Sequence, residues 1–447
     1  MSTQFGFEAL GGGGSGSGLH YLGTWDAATN TPTITSGVGT PGDYYIVSVA
    51  GTTTIDGISD WQVGDWIIFS DTGVWQKIDN SDAGVVVADT GTGSSVRINN
   101  GNCASGSYST ALGYNNTASA TYSTVGGGNA NTASNYHSTV SGGYQNTASA
   151  SYSTVSGGRG NTASASYSTV SGGYCNVSCG IGSIVSAGQF NTSSGYGSFI
   201  GNGLNNTSSS TASFIGNGSN QVASGCQSVV VGGAQNSATC DCAFIGNGSL
   251  NTASDYSATV INGCLNTASG AGSTVINGVC NVASSSFSTA SGVQANTFVS
   301  DFRQTCSSGA FATSGDLQKS TFILKASSNG LSTRKLTTDF SGVYNAKNHI
   351  ILQNNNTFGF TGTIVAKQQG SSNSAMWKVE GLITRGANAA STTLTFSSVT
   401  VVSNAPGWTN PVLSTDLTQG GLDITVNASG VNSLWSAYIE TTEVIYA

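Results

Sequence analysis

The chain has 447 residues, 63 of them glycine and four proline, a net charge of −8, and only 7% charged residues. Its length accommodates about three domains, and ordinary soluble domains carry about 25% charged residues. No segment has the stripe of Lys and Arg that a nucleic-acid binder uses against phosphate, and the regular spacing of Val, Ile and Ala argues against a disordered chain.

Residues 1–18 end in Gly11-Gly-Gly-Gly-Ser-Gly-Ser-Gly18 and read as a flexible anchor segment. They lack the basic start and apolar core of a secretory leader, and no stretch reaches the 18 apolar residues of a membrane helix. Residues 19–82 read as a small β domain. Asp43–Val49 and Trp66–Phe69 are strand-like, with Gly42-Asp43 and Gly64-Asp65 as turns. Trp25, Trp61, Trp66 and Trp75 are candidates for stacking on sugar rings; in so small a domain, core packing is the competing role.

From residue 83 to 300 the chain is a repeat. Asn116, Asn131, Asn146, Asn161, Asn176, Asn191 and Asn206 open 15-residue units, Gln221 substitutes once, and Asn236, Asn251, Asn266, Asn281 and Asn296 continue the phase. Asn102 lies one residue out of phase. A rigid short period marks a solenoid, in which each unit is one coil stacked on the next. With the Asn as position 1, position 10 is Val125, Val140, Val155, Val170, Val185, Ile200, Ile215, Val230, Ile245, Val260 and Val275, the expected core. Position 3 is Ala or Ser, and position 13 is Gly at a corner. Position 9 faces away from position 10. It changes from Thr to Ile184, Phe199, Phe214, Val229 and Phe244, and Val231, Ile261 and Ile276 extend the same face at position 11. So large an apolar stripe predicts a subunit interface; the alternative is a roll turned inside out, with this stripe as its core. Cys175, Cys226, Cys264 and Cys280 are expected as buried thiols filling small slots in the coils. No cofactor or metal site is expected, since the nine Cys and three His have no ligand spacing.

Units such as Asn146-Thr-Ala-Ser-Ala-Ser-Tyr-Ser-Thr-Val-Ser-Gly-Gly158 resemble the head repeats of trimeric autotransporter adhesins. The resemblance covers roughly residues 95–298 and implies a left-handed parallel β-roll in a homotrimer. The secretion signal and membrane barrel of those adhesins do not appear in the sequence. Tyr21–Trp25, Gly64–Phe69 and Trp75–Asp79 resemble a module of tailed-phage fibres and other virion proteins. Gly362–Lys367, Trp377–Gly381 and Val401–Trp408 look like C-terminal domains of phage fibre proteins.

Residues 301–447 lose the period. Strand-like runs at Thr321–Leu324, His349–Leu352, Phe358–Lys367, Ala375–Thr384, Ser391–Ser403, Leu422–Val426 and Leu434–Tyr446 predict an antiparallel β-sandwich or jelly roll. Nine bases of this region alternate with acids, as on a solvated face. Asp241 and Asp255 stand nearly one coil apart, a spacing that invites comparison with a glycosidase pair, but they are lone charges amid Ser and Gly. Lys378 and Glu380 share a strand face. No nucleophile–base constellation emerges, so the chain is expected not to be an enzyme.

The fold class expected is therefore all-β: a parallel β-roll flanked by a small N-terminal β domain and a C-terminal antiparallel β-sandwich, assembled as a trimeric fibre. The expected function is a virion fibre, a tail or capsid appendage on the virion surface. It would attach through its N-terminus to a virion base or capsid/tail protein and present residues 301–447 to a host cell-surface glycan or protein. It would neither bind nucleic acid nor insert in a membrane. A secreted bacterial adhesin, a polysaccharide depolymerase tailspike and a tip that only folds and locks the trimer are the alternatives.

Overall fold

The structure, a computed structural model, describes residues 18–80, 86–87, 89–97, 101–328, 333–405, 407–427 and 430–445. Nearly all of the expected 1–18 anchor lies outside them.

The repeat folds as a parallel β-solenoid with two short strands per coil. Positions 2 and 3, such as Thr147-Ala148, build a 13-stranded sheet. Positions 9 and 10, such as Thr154-Val155, build the facing ladder. Pairing is parallel and in register, Thr139 against Thr154 and Val140 against Val155, so like stacks on like. At about 4.8 Å per strand, thirteen coils make a rod on the order of 60 Å long. Val125 through Val275 at position 10 and Ala118 through Ala283 at position 3 are fully buried. In three successive coils Ser178, Ser193 and Ser208 replace the position-3 Ala. Each hydroxyl lies 2.7 Å from the buried position-8 hydroxyl of Ser183, Ser198 or Ser213.

The position-1 Asn is fully buried as well, from Asn116 to Asn281. Its Oδ1 accepts the backbone N–H of position 1 in the next coil at 2.8–3.0 Å, as from Asn131 to Asn116 and from Asn281 to Asn266. Its Nδ2 donates to two carbonyls, for Asn161 those of Gly157 and Gly173, both at 2.9 Å. The ladder fixes the position-13 glycine too. Gly143 sits at φ +95, and a Cβ there would lie 2.2 Å from the Gly158 carbonyl. Only glycine meets both conditions.

The ladder absorbs irregularities at both ends. Asn102, out of phase in sequence, still accepts from Asn116 N–H. At the other end Asn281 accepts from Ala295, fourteen residues on, rather than from Asn296. Asn296 is bonded to Gln318 instead.

The Thr-Val ladder crosses residue 300 without a break. Thr289–Val293 pairs in parallel with Gln304–Ser308, which pairs antiparallel with Leu317–Ser328. The sheet continues through Ser433–Ile445, Asn356–Gln368 and Ser374–Arg385 to Thr393–Ser403. A smaller sheet of Arg334–Lys335, Gly421–Val426, Ile350–Ile351 and Val412–Asp416 packs against it. Phe322, Phe358, Trp377, Trp435, Ile350 and Ile424 lie in their shared core. The sequence reading missed Gln304–Ser308, Arg334–Lys335 and Val412–Asp416, which are short or polar and have too little alternation to register as strands.

At the junction Arg303 and Glu443 form a fully buried ion pair. Thr305 and Ser320 accept from Arg303 Nε, and Gln318 and Thr441 donate to Glu443. The guanidinium lies 5.4 Å from the Phe298 ring centroid and 5.5 Å from that of Phe322. The pair ties the last coil to the first and last strands of the C-terminal region.

In the N-terminal sheet His20–Asp26 runs parallel to Asp43–Val49, with Trp66–Phe69 and Trp75–Ile78 antiparallel beyond it. Trp25, Trp61, Trp75, Ile67 and Phe69 make its core.

Asn161→Ala removes one acceptor and two donors from buried backbone partners. At about 1–3 kcal/mol for each orphaned group, it should destabilise the rod by roughly 3 kcal/mol or more in denaturant unfolding. Gln221 keeps the acceptor, taking Asn236 N–H at 2.8 Å, but leaves its buried Nε2 without a partner. Gln221→Asn should therefore stabilise the rod by about 1 kcal/mol. Separately, Glu443→Ala strands the Arg303 charge and should cost about 3–5 kcal/mol, seen as a large fall in the melting temperature of the C-terminal region.

Candidate functional site

The stripe at positions 9 and 11 lies on the outside of the roll. Ile184 and Phe214 are 36% and 37% exposed, and Val231, Ile261 and Ile276 are 47%, 45% and 40% exposed. Phe199, Val229 and Phe244 are half-buried. Phe199 stacks flat on Phe214 at 5.2 Å. Strand alternation explains the arrangement, since position 10 points inward and its neighbours cannot.

A second exposed row was not read from the sequence. Tyr108, Tyr122, His137, Tyr152 and Tyr167 stack at 4.8–5.2 Å, one ring per coil, at position 7. The last four sit at φ +53 to +61, where later coils place Gly182 and Gly197. A bulky side chain in this region is strained, and the stack helps hold it there. The row precedes the coils that carry the position-9 stripe, and Phe287 and Phe302 stack at 5.1 Å beyond it. Bulky exposed groups thus pass from position 7 to 9, to 11 and back to 7 along the rod. A ring recurring at position 7 was the available signal.

Trp25, Trp61 and Trp75 are buried, with Nε1 donating to Asn30, to Thr53 and to Thr35 and Val38 respectively. They present no face to a sugar. Trp66 is half-buried, but its ring stacks on Tyr44 at 4.9 Å, so one face is occupied. The expected burial of Cys175, Cys226, Cys264 and Cys280 is corrected: each is a half-exposed free thiol. Positions 1, 3, 8 and 10 fill the narrow interior, and these cysteines fall at the corners, Cys175 and Cys280 with φ +51 and +56.

The structure gives Asp241 and Asp255 local roles. Asp241 accepts from Cys226 N–H and Asp255 from Tyr256 N–H. Lys378 and Glu380 are exposed and border a shallow groove with Tyr438 and Glu440. Among the described residues no cluster of His, Cys, Asp or Glu could hold a metal ion, and no helix is long and apolar enough to cross a membrane.

A set of ionisable groups surrounds a cleft of about 430 Å³ in the C-terminal region, lined by Arg334, Lys335, Tyr344, Asp416, Gln419 and Thr425. Lys335 Nζ is 2.9 Å from Asp423 and 4.4 Å above the Tyr344 ring. The other face of Tyr344 lies on His349, with centroids 4.2 Å apart. Tyr344 Oη accepts Ile424 N–H at 2.8 Å, and burial pushes its phenol well up. His349 is fully buried, its Nε2 lying 3.3 Å from Asp416 Oδ2. Burial lowers its pKa to about 4, against the pull of Asp416 and Asp423. The small sheet's turns bring these groups together from residues 334 to 425, a separation that hid them in the sequence.

No protein-family profile matches the sequence, and no curated protein matches it. Solved structures similar to the chain at low identity include three phage tailspikes. The tailspike of Acinetobacter phage vB_ApiP_P1 is 8% identical, covering 96% of this chain and 100% of its own, with a TM-score of 0.21. The tailspike of Acinetobacter baumannii phage AM24 is 9% identical, covering 94% and 95%, with a TM-score of 0.22. The tailspike gp49 of Acinetobacter baumannii bacteriophage Fri1, a capsular polysaccharide depolymerase, is 8% identical, covering 95% and 100%, with a TM-score of 0.20. TM-scores this low do not by themselves establish a common fold. The expectation that the chain is not an enzyme is corrected beside this set, one of whose members is described as a capsular polysaccharide depolymerase.

The depressed pKa of His349 has a definite sign. Between about pH 4 in the folded chain and the ordinary imidazole value of 6.5, the unfolded chain binds the extra proton. The contribution is complete above about pH 6.5 and is lost as pH falls toward 4, at most about 3 kcal/mol. The C-terminal region should therefore melt progressively earlier across this window, followed by near-ultraviolet circular dichroism. In His349→Phe that slope should be reduced.

Proposed function

We propose that this chain is a homotrimeric virion fibre, a phage tail appendage that presents residues 301–447 to a polysaccharide or protein on the host surface. The observation that carries the reading is the exposed apolar stripe along a rod almost without charge. Between residues 101 and 300 the ionisable Lys, Arg, Asp and Glu are Arg159, Asp241 and Asp255 alone. The stripe from Ile184 to Ile276 occupies seven coils, so at about 4.8 Å per coil it is roughly 30 Å long. At on the order of 13 Å wide it covers roughly 400 Å², about half of what each partner contributes to a standard interface; the exposed ring row at position 7 adds to it. Depletion of charge with enrichment in Phe, Tyr and Ile is the composition of an interface centre rather than of a solvated face.

Identical coils on identical chains favour a symmetric assembly of copies over an unrelated partner. Three tips on one rod turn weak single-site binding into avidity. Ile184, Phe199, Phe214, Val229, Val231, Phe244, Ile261 and Ile276 are the contacts in this reading. The N-terminal sheet and the segment before it attach the fibre to the particle.

The full chain should have a solution mass three times 44.8 kDa. Phe214→Lys should shift it toward monomer, whereas Ser134→Lys, an exposed site just after the other strand of the coil, should not. A monomeric wild type overturns the assembly. Electron micrographs of labelled particles should place the chain on a tail appendage; a particle without it overturns the virion reading. A chain lacking residues 301–447 should still form the rod but no longer bind host cells.

A further inference from the structure

We propose that the C-terminal cleft binds a carboxylated sugar residue, with the carboxylate on Arg334 and sugar hydroxyls on Asp416. The proposal rests on the reading of residues 301–447 as the receptor-binding tip, and names the chemistry that tip recognises.

The groups around the cleft divide into those already engaged and those free to meet a ligand. Lys335 and Asp423 satisfy each other at 2.9 Å, and Asp423 also accepts from Thr425 Oγ1 at 3.0 Å. Tyr344 has Lys335 on one face and His349 on the other, so it offers no ring to stack on. Arg334 differs. It lines the cleft, no carboxylate lies in ion-pair range of it among the described residues, and its Nε is buried without a hydrogen-bond partner. A guanidinium presents a planar fork that matches a carboxylate in bidentate fashion.

Asp416 supplies the opposite character in the same cleft. Its Oδ1 accepts the Thr418 and Gln419 N–H groups at 2.9 and 3.2 Å, which fixes the carboxylate in place. Oδ2 faces His349 at 3.3 Å, out of hydrogen-bonding alignment. With His349 neutral down to about pH 4, this negative charge is not cancelled by the imidazole at physiological pH. A simple anion entering the cleft is therefore attracted by Arg334 and repelled by Asp416. A ligand with one carboxylate and several hydroxyl donors satisfies both. Gln419 and Thr425 add polar groups on the same wall. The volume of about 430 Å³ admits one or two sugar residues rather than a long chain.

The test uses the full-length chain and three probes at pH 7.4: a methyl glucuronoside, the matching methyl glucoside and inorganic phosphate. Calorimetry and saturation-transfer NMR should detect the glucuronoside, with the glucoside and phosphate at least tenfold weaker. Arg334→Met should lower glucuronoside affinity at least tenfold. Thr418→Trp, which narrows the cleft from its exposed rim, should do the same with the Arg334 charge intact. Melting curves matching wild type confirm that both variants fold. Equal binding of glucuronoside and glucoside overturns the proposal, as does undiminished glucuronoside affinity in both folded variants. Phosphate binding as tight as glucuronoside overturns it in favour of a general anion site. Host-cell binding by the Arg334→Met fibre, unchanged from wild type, would remove the cleft from receptor recognition while leaving the fibre reading standing. A wild-type chain absent from virions would remove the fibre reading without touching the sugar titration.

Discussion

Everything in the rod depends on one buried side-chain amide per coil. A solenoid of two-residue strands has little apolar interior, because one Val or Ile and one Ala or Ser per coil fill it. Its corners bring backbone N–H and C=O groups into that interior, beyond the reach of the strand ladders. The Asn at position 1 satisfies three of them from within a single side chain. The same contacts set the coil-to-coil distance, exclude a Cβ at position 13, and keep the two ladders in register. The regular period follows from this requirement: a coil of another length would carry the amide away from its partners. Where the length does change, at Asn102 and Ala295, the backbone adjusts so that the amide contact survives.

The narrow interior also explains the outside. With no room inward, bulky residues can only be carried on the surface, and the chain carries them in rows that stack along the axis. Rings in such a row spend their faces on one another and turn their edges outward, as Tyr122, His137 and Tyr152 do. That geometry suits contact between rods better than it suits stacking against sugar rings. The polar cleft at the other end of the molecule has the reverse design, with its aromatic ring enclosed and charged groups around the opening.

The join between the two regions is a continuous sheet with one buried ion pair against it. The Thr-Val ladder runs from the coils into the long antiparallel strands through Gln304–Ser308, so the change from parallel to antiparallel happens within one sheet. Arg303 and Glu443 close that join, each the other's counter-charge in a site without water access. Removing two charges from water is expensive unless every remaining donor and acceptor is engaged. Thr305 and Ser320 engage Arg303 Nε, and Gln318 and Thr441 engage Glu443, while Arg303 Nη1 stays buried without a hydrogen-bond partner.

Much of the rod was legible in the sequence because its physics is local and repeated. The period, the inward position 10, the small position 3, the corner glycine and the outward position 9 all follow from strand alternation applied thirteen times over. The long C-terminal strands were legible for the same reason, since Phe358–Lys367 and Leu434–Tyr446 alternate. The burial of the amide was not legible, because an Asn before a Thr reads as an ordinary turn residue and nothing in its spacing says which way it points. Nor was the half-exposure of Cys175 and Cys280, which depends on which corner of the coil is already full. The cleft was least legible of all. Arg334, Tyr344, His349 and Asp416 lie as far as 82 residues apart on polar turns and short strands, and only the tertiary packing makes them neighbours. The sequence by itself determined a repetitive rod with a stripe on its outside, since period and alternation need no long-range contact; only the tertiary structure decided where charge and shape converge, since that depends on contacts between distant segments.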